Sequence, residues 1–475
     1  MAVSSTGLID GIRQFFLLYL IVAILLSRNL KSVFLGFFLT YIFTLQFVHP
    51  NKGYDVEVIR GNAILEPQYY EGYSIAYFFH MASFFFVLAA AALIRDLLKN
   101  FRKIPQRLLV VMGAITLVWL LFVGYCLYGI TVYSPFPALS IVWLFQYSMM
   151  YFVALGICFG LVKYPKFLSF FVLTLTAMIC TQFFVSVLQL WFQRSAGLPF
   201  EANSSGSFAT GLDENNAVFR VMGTFMFHNQ LAFVSALLSS VILPYGIEKK
   251  SVPLIGTGLA GLFVVLLTQS RSVLIGAVLL LFLCGVVYKK RILVVLRKIG
   301  RRRILAYGVV AFALSAFGII PRILLSVNAG YQGAGLAIRV RMVNEAREAI
   351  IANPFIGYGI GTNEYVLQRL FPDGVMTVFP AVVHLAYIQL WMEIGLIGLL
   401  IFLLPLFWLA RYCIVNPAQR GQPQFYRLTF LSGLLVALVF WTLLPHIGIV
   451  EFPFLGLVLG FGAFWYYLSA GKRSA

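Results

Sequence analysis

The sequence predicts an all-α polytopic membrane protein with 12–13 transmembrane helices and a long external loop that carries surface helices. Three observations predict it. The first is composition: of 475 residues, 61% are apolar and only 11% charged, where a soluble domain has roughly 45–50% apolar and about 25% charged. This excludes a soluble enzyme, a disordered chain and an ordinary nucleic-acid module. No nucleic-acid partner is expected, although the formal charge is +19. The second is a ladder of long apolar runs. The third is an uneven division of the basic residues between alternate loops.

A helix needs about 20 apolar residues to cross a bilayer. Runs that reach or approach this lie near 13–29, 32–48, 75–95, 108–130, 137–162, 167–192, 226–246, 252–268, 271–288, 304–321, 384–410, 428–447 and 451–469. The break between the first two, at Ser27–Lys31, is short, so the alternative is twelve spans with one interfacial segment. No cleavable signal peptide is expected, because no charged segment precedes the first run. The cysteines (Cys126, Cys158, Cys180, Cys284, Cys413) all fall in or beside apolar runs. Neither an external disulfide nor a Cys/His zinc site is expected.

One set of alternate loops holds 24 of the 35 cations and only Asp96 and Glu248 as acids. The other holds 11 cations and 13 acids, and the remaining acid, Glu393, lies inside a span. One face is thus +22 and the other −2. Basic residues collect on the cytoplasmic side, which places the C-terminus inside and, with an odd number of spans, the N-terminus outside.

The nearly neutral outer face carries three substantial loops, about 49–74, 193–225 and 322–383. Loops this long are usually functional. In the third, Ile338–Ile351 reads as an amphipathic helix with Ile338, Met342, Ala346, Ala349 and Ile350 near one face. It stops at Asn353-Pro354. Glycines at 357, 359 and 361 follow, which permit unusual backbone geometry and close approach of a ligand. Arg271 sits in the tight turn Thr268-Gln-Ser-Arg-Ser272, Arg220 closes the second loop, and His384 lies where the third re-enters the bilayer. The charge map puts Arg220, Arg271, Arg339, Arg341 and His384 on one side. Arginine binds phosphate oxygens through paired donors, and histidine accepts a proton near neutral pH. Transfer from a phosphate-bearing leaving group would fit without a metal or other cofactor; so would binding of an anionic lipid.

Four ordered stretches carry a resemblance: Arg220-Val-Met-Gly-Thr-Phe-Met-Phe-His-Asn-Gln230; Thr268-Gln-Ser-Arg-Ser272; Arg339, followed fifteen residues later by Pro354 and then Gly357-Tyr-Gly359; and His384 with Gln389-Leu-Trp-Met-Glu393-Ile-Gly395-Leu-Ile-Gly398. Together they resemble the O-antigen ligase and polysaccharide polymerase superfamily of bacterial inner-membrane proteins. The resemblance implies a GT-C-like glycosyltransferase facing the periplasm that moves an undecaprenyl-diphosphate-linked glycan en bloc to an acceptor hydroxyl. It makes His384, Arg271 and Arg339 the catalytic set. Arg220, Arg341, Gly357, Gly359 and His228 become substrate-binding candidates. Val343 stands where the family often has an aromatic residue, and His228-Asn229 replaces its Pro-Asn.

On this reading residues 1–200 are N-terminal transmembrane helices with the external loop 49–74, residues 201–410 the catalytic region, and residues 411–475 the C-terminal transmembrane helices. The partners implied are the lipid-linked oligosaccharide donor, an acceptor glycan (a second lipid-linked repeat or lipid A core), membrane lipids and a chain-length regulator. Polymerase is preferred to ligase; a protein O-oligosaccharyltransferase or a lipid-glycan transporter is a lesser alternative. The residues also have plainer readings. His384 and His228 suit helix starts, Arg271 a snorkelling turn residue, and Arg339 and Arg341 lipid anchors. Arg220 suits loop pinning as well as substrate contact. Gly357–Gly361 suits a tight loop, and Glu393, costly within a span unless paired, suits holding a neighbouring helix or an arginine.

Overall fold

The computed structural model describes residues 5–47, 81–135, 137–196, 209–210, 218–225, 228–299, 334–378, 383, 385–418, 422–443 and 451–470. Twelve of the thirteen apolar runs overlap described helices; the run 304–321 lies outside the described residues, as do loop 49–74 and His384. The helices are α1 (Ser5–Leu30), α2 (Val33–Thr44), α3 (Met81–Asn100), α4 (Gln106–Tyr133), α5 (Pro137–Lys163) and α6 (Phe167–Phe192). They continue with α7 (His228–Lys249), α8 (Val252–Thr268), α9 (Arg271–Ile299), α10 (Ala334–Ala352), α11 (Asn363–Leu370), α12 (Val375–Val378), α13 (Ala386–Val415), α14 (Phe425–Leu443) and α15 (Glu451–Ala470). Between α6 and α7, β1 (Ala209–Thr210) pairs antiparallel with β2 (Val218–Phe219).

Eight helices, α4, α5, α6, α7, α9, α13, α14 and α15, are long and apolar enough to cross a membrane. Shorter apolar helices cover Leu17–Leu30, Val33–Thr44 and Val252–Thr268. The chain is a polytopic all-α membrane protein. In hydrocarbon a spanning helix satisfies its backbone within itself, so the bundle is organised by side-chain fit. Helix α7 is its centre, with 94% of its apolar window buried, against 28% for the peripheral α4. It packs on α8, α9 and α14, and α15 packs on α5. Small residues let such helices approach: a Cβ on Gly460 of α15 would meet Ile157 of α5 at 2.7 Å.

Two boundaries differ from the apolar pattern. Helix α9 continues past residue 288, but its φ/ψ leave helical values at Tyr288 (−107°, 18°). The candidate span runs through this kink to Val294, and the basic residues Lys289, Lys290 and Arg291 follow the kink directly. Helix α13, expected to be continuous, is broken at Gly395 (φ 64°, ψ 176°), for a reason found in the site below.

Contacts join loops of the same predicted set. At the cation-rich end, Tyr164 Oη donates to Asp96 at 2.8 Å and Lys163 Nζ to Asn100 at 3.0 Å. Glu248 accepts from Tyr288 Oη and the Phe425 amide, both at 3.0 Å. The two ion pairs among the described residues, Arg95–Asp96 at 3.0 Å and Arg291–Glu248 at 3.5 Å, use the two acids of that set. The described candidate site residues, Arg220, His228, Arg271, Arg339, Arg341, Gly357 and Gly359, lie on loops or helix starts of the opposite predicted set.

Candidate functional site

The site begins with the turn between α8 and α9. Gln269 takes the left-handed conformation (φ 55°) that ends α8, and its amide donates to Leu266 O at 3.0 Å. Two bonds with the end of β2 and the residue after it fix this turn. Buried Arg220 donates through Nε to Thr268 O at 2.9 Å, and Gln269 Nε2 reaches Phe219 O at 3.4 Å. Of the two roles weighed for Arg220, the geometry supplies the pinning bond. Arg271 is then the first residue of α9 and is exposed. A cation there opposes the helix dipole, which favours anions at that end. The buried hydroxyls of Ser270 and Ser272, on either side, have no hydrogen-bond partner among the described residues.

The Arg220 segment is itself held by amides inside α6. Gln189 Oε1 accepts from the Met222 and Gly223 amides at 3.0 and 2.8 Å, and its Nε2 donates to Gly223 O at 2.8 Å. Gln182 accepts from the Thr224 amide at 3.1 Å and donates to Gln46 Oε1 at 2.9 Å. Such buried, satisfied amides fix one geometry. This network was not among the sequence candidates. Gln182 and Gln189 are seven residues apart, two helical turns on one face of an apolar run, and that spacing was the available signal.

Helix α10 supplies the second arginine. Met342, Ala346, Ala349 and Ile350 are buried in a small core with Leu367, Val375, Met376, Val383 and Met392, so the predicted apolar face is the one that packs. Glu345, on the same helix, accepts from the Val375 amide at 2.9 Å and fixes the start of α12. Arg339 and Arg341 are exposed. The Arg339 head group is nonetheless partly desolvated, and its pKa is held below the ordinary arginine value by that burial and then by the charge of Arg271. The charge of Arg271, from a segment far away in sequence, is thus felt at Arg339.

After α10 the chain doubles back against the break in α13. The break leaves backbone groups of α13 without helical partners, and buried groups of this kind must be satisfied elsewhere. The loop supplies them. Tyr358 and Gly359 donate to the carbonyls of Met392 (3.0 Å) and Glu393 (2.8 Å). Pro354 O and Phe355 O accept from Leu396 (2.9 Å) and Ile397 (3.3 Å). The loop and the broken helix thus complete one another's backbone bonding, which is why α13 is not continuous. Gly361 (φ 75°) is required here: a Cβ would enter the Trp143 indole. These contacts give Gly357–Gly361 its tight-loop role.

Glu393 anchors the loop from within the bilayer-depth helix. It is 1% exposed. Its carboxylate accepts from the Gly361 amide at 3.0 Å, Asn363 Nδ2 at 2.5 Å and Gln389 Nε2 at 3.2 Å. The neighbouring Glu364, at the start of α11, is 3% exposed. Burial, and then the nearby Glu393 charge, push its pKa up to about 8. His228 opens α7 and is half-buried. No group of three or more His, Cys, Asp or Glu with metal-ligating geometry occurs among the described residues.

Residues 256–403 match the family model described as O-antigen ligase. The match spans less than a third of the chain. It supports membership of the O-antigen ligase/polymerase superfamily and an enzyme of glycosyltransferase type. It runs from α8 into α13 and contains the Arg271 turn, α10 with Arg339 and Arg341, the glycine loop, Glu364 and Glu393. Arg220, His228 and the amide network of α6 lie outside it, and Arg220 joins it through its bond to Thr268 O. No curated protein matches the chain.

Proposed function

We propose that the chain is an O-antigen ligase family protein, an inner-membrane glycosyltransferase that works at the periplasmic face. Its donor is a glycan on undecaprenyl diphosphate, transferred en bloc to an acceptor sugar hydroxyl. The acceptor oxygen attacks the anomeric carbon from the face opposite the diphosphate. The bond from that carbon to the phosphate oxygen breaks, its electron pair leaves with the diphosphate, and the configuration inverts. Arg271 and Arg339 hold the developing charge, and His384 takes the acceptor proton. Arg341, Gly357 and Gly359 line the donor's approach, and no metal enters the scheme.

The observation that carries this reading is that the Arg271 turn and the Arg339 helix, far apart in sequence, both fall within the family match, and that the Arg271 charge acts on the partly desolvated Arg339. Like charges brought together in a partly desolvated place oppose each other. A diphosphate between them reverses that cost and suits the fork of each guanidinium. The dipole of α9 and the unpartnered Ser270 and Ser272 hydroxyls point the same way.

The preferred acceptor is a second lipid-linked repeat, making the protein a polymerase of surface polysaccharide. The ligase description of the matching family favours lipid A core as the second reading. Transfer from purified undecaprenyl-diphosphate oligosaccharide, with both acceptors offered together, tests the proposal. Wild type is expected to extend the lipid-linked repeat, and Arg271→Ala, Arg339→Ala and His384→Ala to lose transfer while remaining folded. Normal transfer by the folded variants overturns the site assignment, and transfer to lipid A core alone makes the protein a ligase.

A further inference from the structure

Two buried carboxyl groups adjoin the glycine loop, linked through Asn363, which precedes Glu364 and donates to Glu393, and they differ sharply in their surroundings. Glu393 has a donor on each oxygen, one of them the main-chain amide of Gly361. Glu364 has no hydrogen-bond partner on either oxygen among the described residues. Two carboxylates that act on each other in a desolvated place do not both ionise readily, and the proton stays on the group with the poorer solvation. Here that group is Glu364. The other titratable groups on the elements packed against it include Arg341, Glu345, Arg347 and Glu348 of α10 and Tyr387 of α13. Glu345 of α10 is bonded to the Val375 amide, α12 carries no titratable residue, and Tyr365 and Arg369 share α11 itself. Of all these groups, Glu393 is the one whose charge acts on Glu364.

The loop that Glu393 holds is also the C-terminal mooring of the arginine helix. Asn353 Nδ2 donates to Gly357 O at 2.5 Å, and Tyr358 Oη donates to Ala349 O at 3.0 Å. Trp391 Nε1 of α13 donates to Pro354 O at 2.8 Å. A shift of the loop is therefore transmitted along α10 toward Arg339. We propose that Glu393 is a positioning residue, whose carboxylate locks the glycine loop onto the broken helix α13 and so sets Arg339 against Arg271, and that Glu364 preserves the lock by carrying the pair's proton. Ionising Glu364 places a second negative charge beside Glu393, drives the two carboxylates apart and loosens the loop. The structural part of this inference stands alone; its consequence for transfer rests on the glycosyltransferase reading.

The test uses the full chain in lipid nanodiscs. Hydrogen exchange of 354–363 is followed from pH 6 to 9 and corrected for the intrinsic pH dependence of exchange. In the wild type, protection is expected to fall about tenfold or more as pH rises through about 8. Glu364→Gln, which cannot ionise, is expected to show no such step. Glu393→Ala is expected to be poorly protected at every pH, and Glu393→Gln, which can still accept from Gly361, to recover much of the protection. Donor transfer over the same range should fall above pH 8 in the wild type, with KM rising, and stay level in Glu364→Gln. A pH step common to wild type and Glu364→Gln, or unchanged protection in Glu393→Ala, overturns the proposal. If the exchange step is present and transfer absent, the lock survives and the glycosyltransferase reading fails. Active transfer without the step overturns the lock and leaves the glycosyltransferase reading standing.

Discussion

Replacing Glu364 by glutamine should stabilise the protein, and more so as pH rises. An unfolded glutamate titrates near 4.5, whereas Glu364 in the fold titrates near 8. Between these values the folded state binds more protons than the unfolded state, so stability declines as pH rises. Each unit of separation corresponds to about 1.4 kcal/mol. The wild type therefore bears almost no penalty below pH 4.5, roughly 3 kcal/mol at pH 7 and at most about 5 kcal/mol above pH 8. Glutamine keeps the shape and never ionises. Thermal unfolding of both proteins should give melting temperatures that nearly coincide at pH 4.5 and separate progressively up to pH 8, with the variant higher. Other titrating groups cancel in the comparison. A constant difference across this range, or a variant that melts lower at pH 8, refutes the buried-proton argument.

Four further outcomes follow, three from the site and its supports and one from a control position outside it. Arg220→Ala removes a charged, buried donor from Thr268 O and should cost about 2–3 kcal/mol in stability, with transfer lost because the Arg271 turn loosens; melting and transfer assays check both effects. Gly361→Ala, which forces a side chain into the Trp143 ring at positive φ, should cost roughly 2–4 kcal/mol. Gly113→Ala in α4, where a Cβ meets nothing within 4 Å, should be neutral or stabilising by up to about 1 kcal/mol. Gln189→Leu strips partners from the buried Met222 and Gly223 amides and should destabilise by about 2 kcal/mol or more, measured against Val110→Ala on the exposed, lipid-facing side of α4.

Much of this arrangement is written in the sequence, and the parts that are not have identifiable causes. Apolar runs located the helices because a spanning helix must be long and apolar. The five-residue stretch Thr268–Ser272 between two such runs located the Arg271 turn, and the spacing of Ile338, Met342, Ala346 and Ala349 located the packed face of α10. The break at Gly395 was hidden: a glycine inside an apolar run is compatible with a continuous helix, and only pairing with Pro354 and Phe355, some forty residues away, opens it. Glu393 could be read as costly unless satisfied, but not as bonded to Gly361. Glu364 was more deeply concealed. An acid in the first turn of a helix ordinarily serves the helix dipole, and nothing local announces that α11 is buried under α10 and beside α13. Gln182 and Gln189 stood in plain view as amides in an apolar helix, and their common face marked a buried polar network.

The most direct test of the central claim is the affinity of undecaprenyl diphosphate for the full chain in nanodiscs, measured as a double-mutant cycle on Arg271→Gln and Arg339→Gln. If both guanidinium groups hold one diphosphate, each single variant weakens binding by about 10- to 100-fold. The double variant then loses less than the two losses combined, because releasing either arm already frees the shared ligand. Undecaprenol, which lacks the diphosphate, should bind all four proteins alike. Independent, fully additive losses, or unchanged affinity in either single variant, contradict the account.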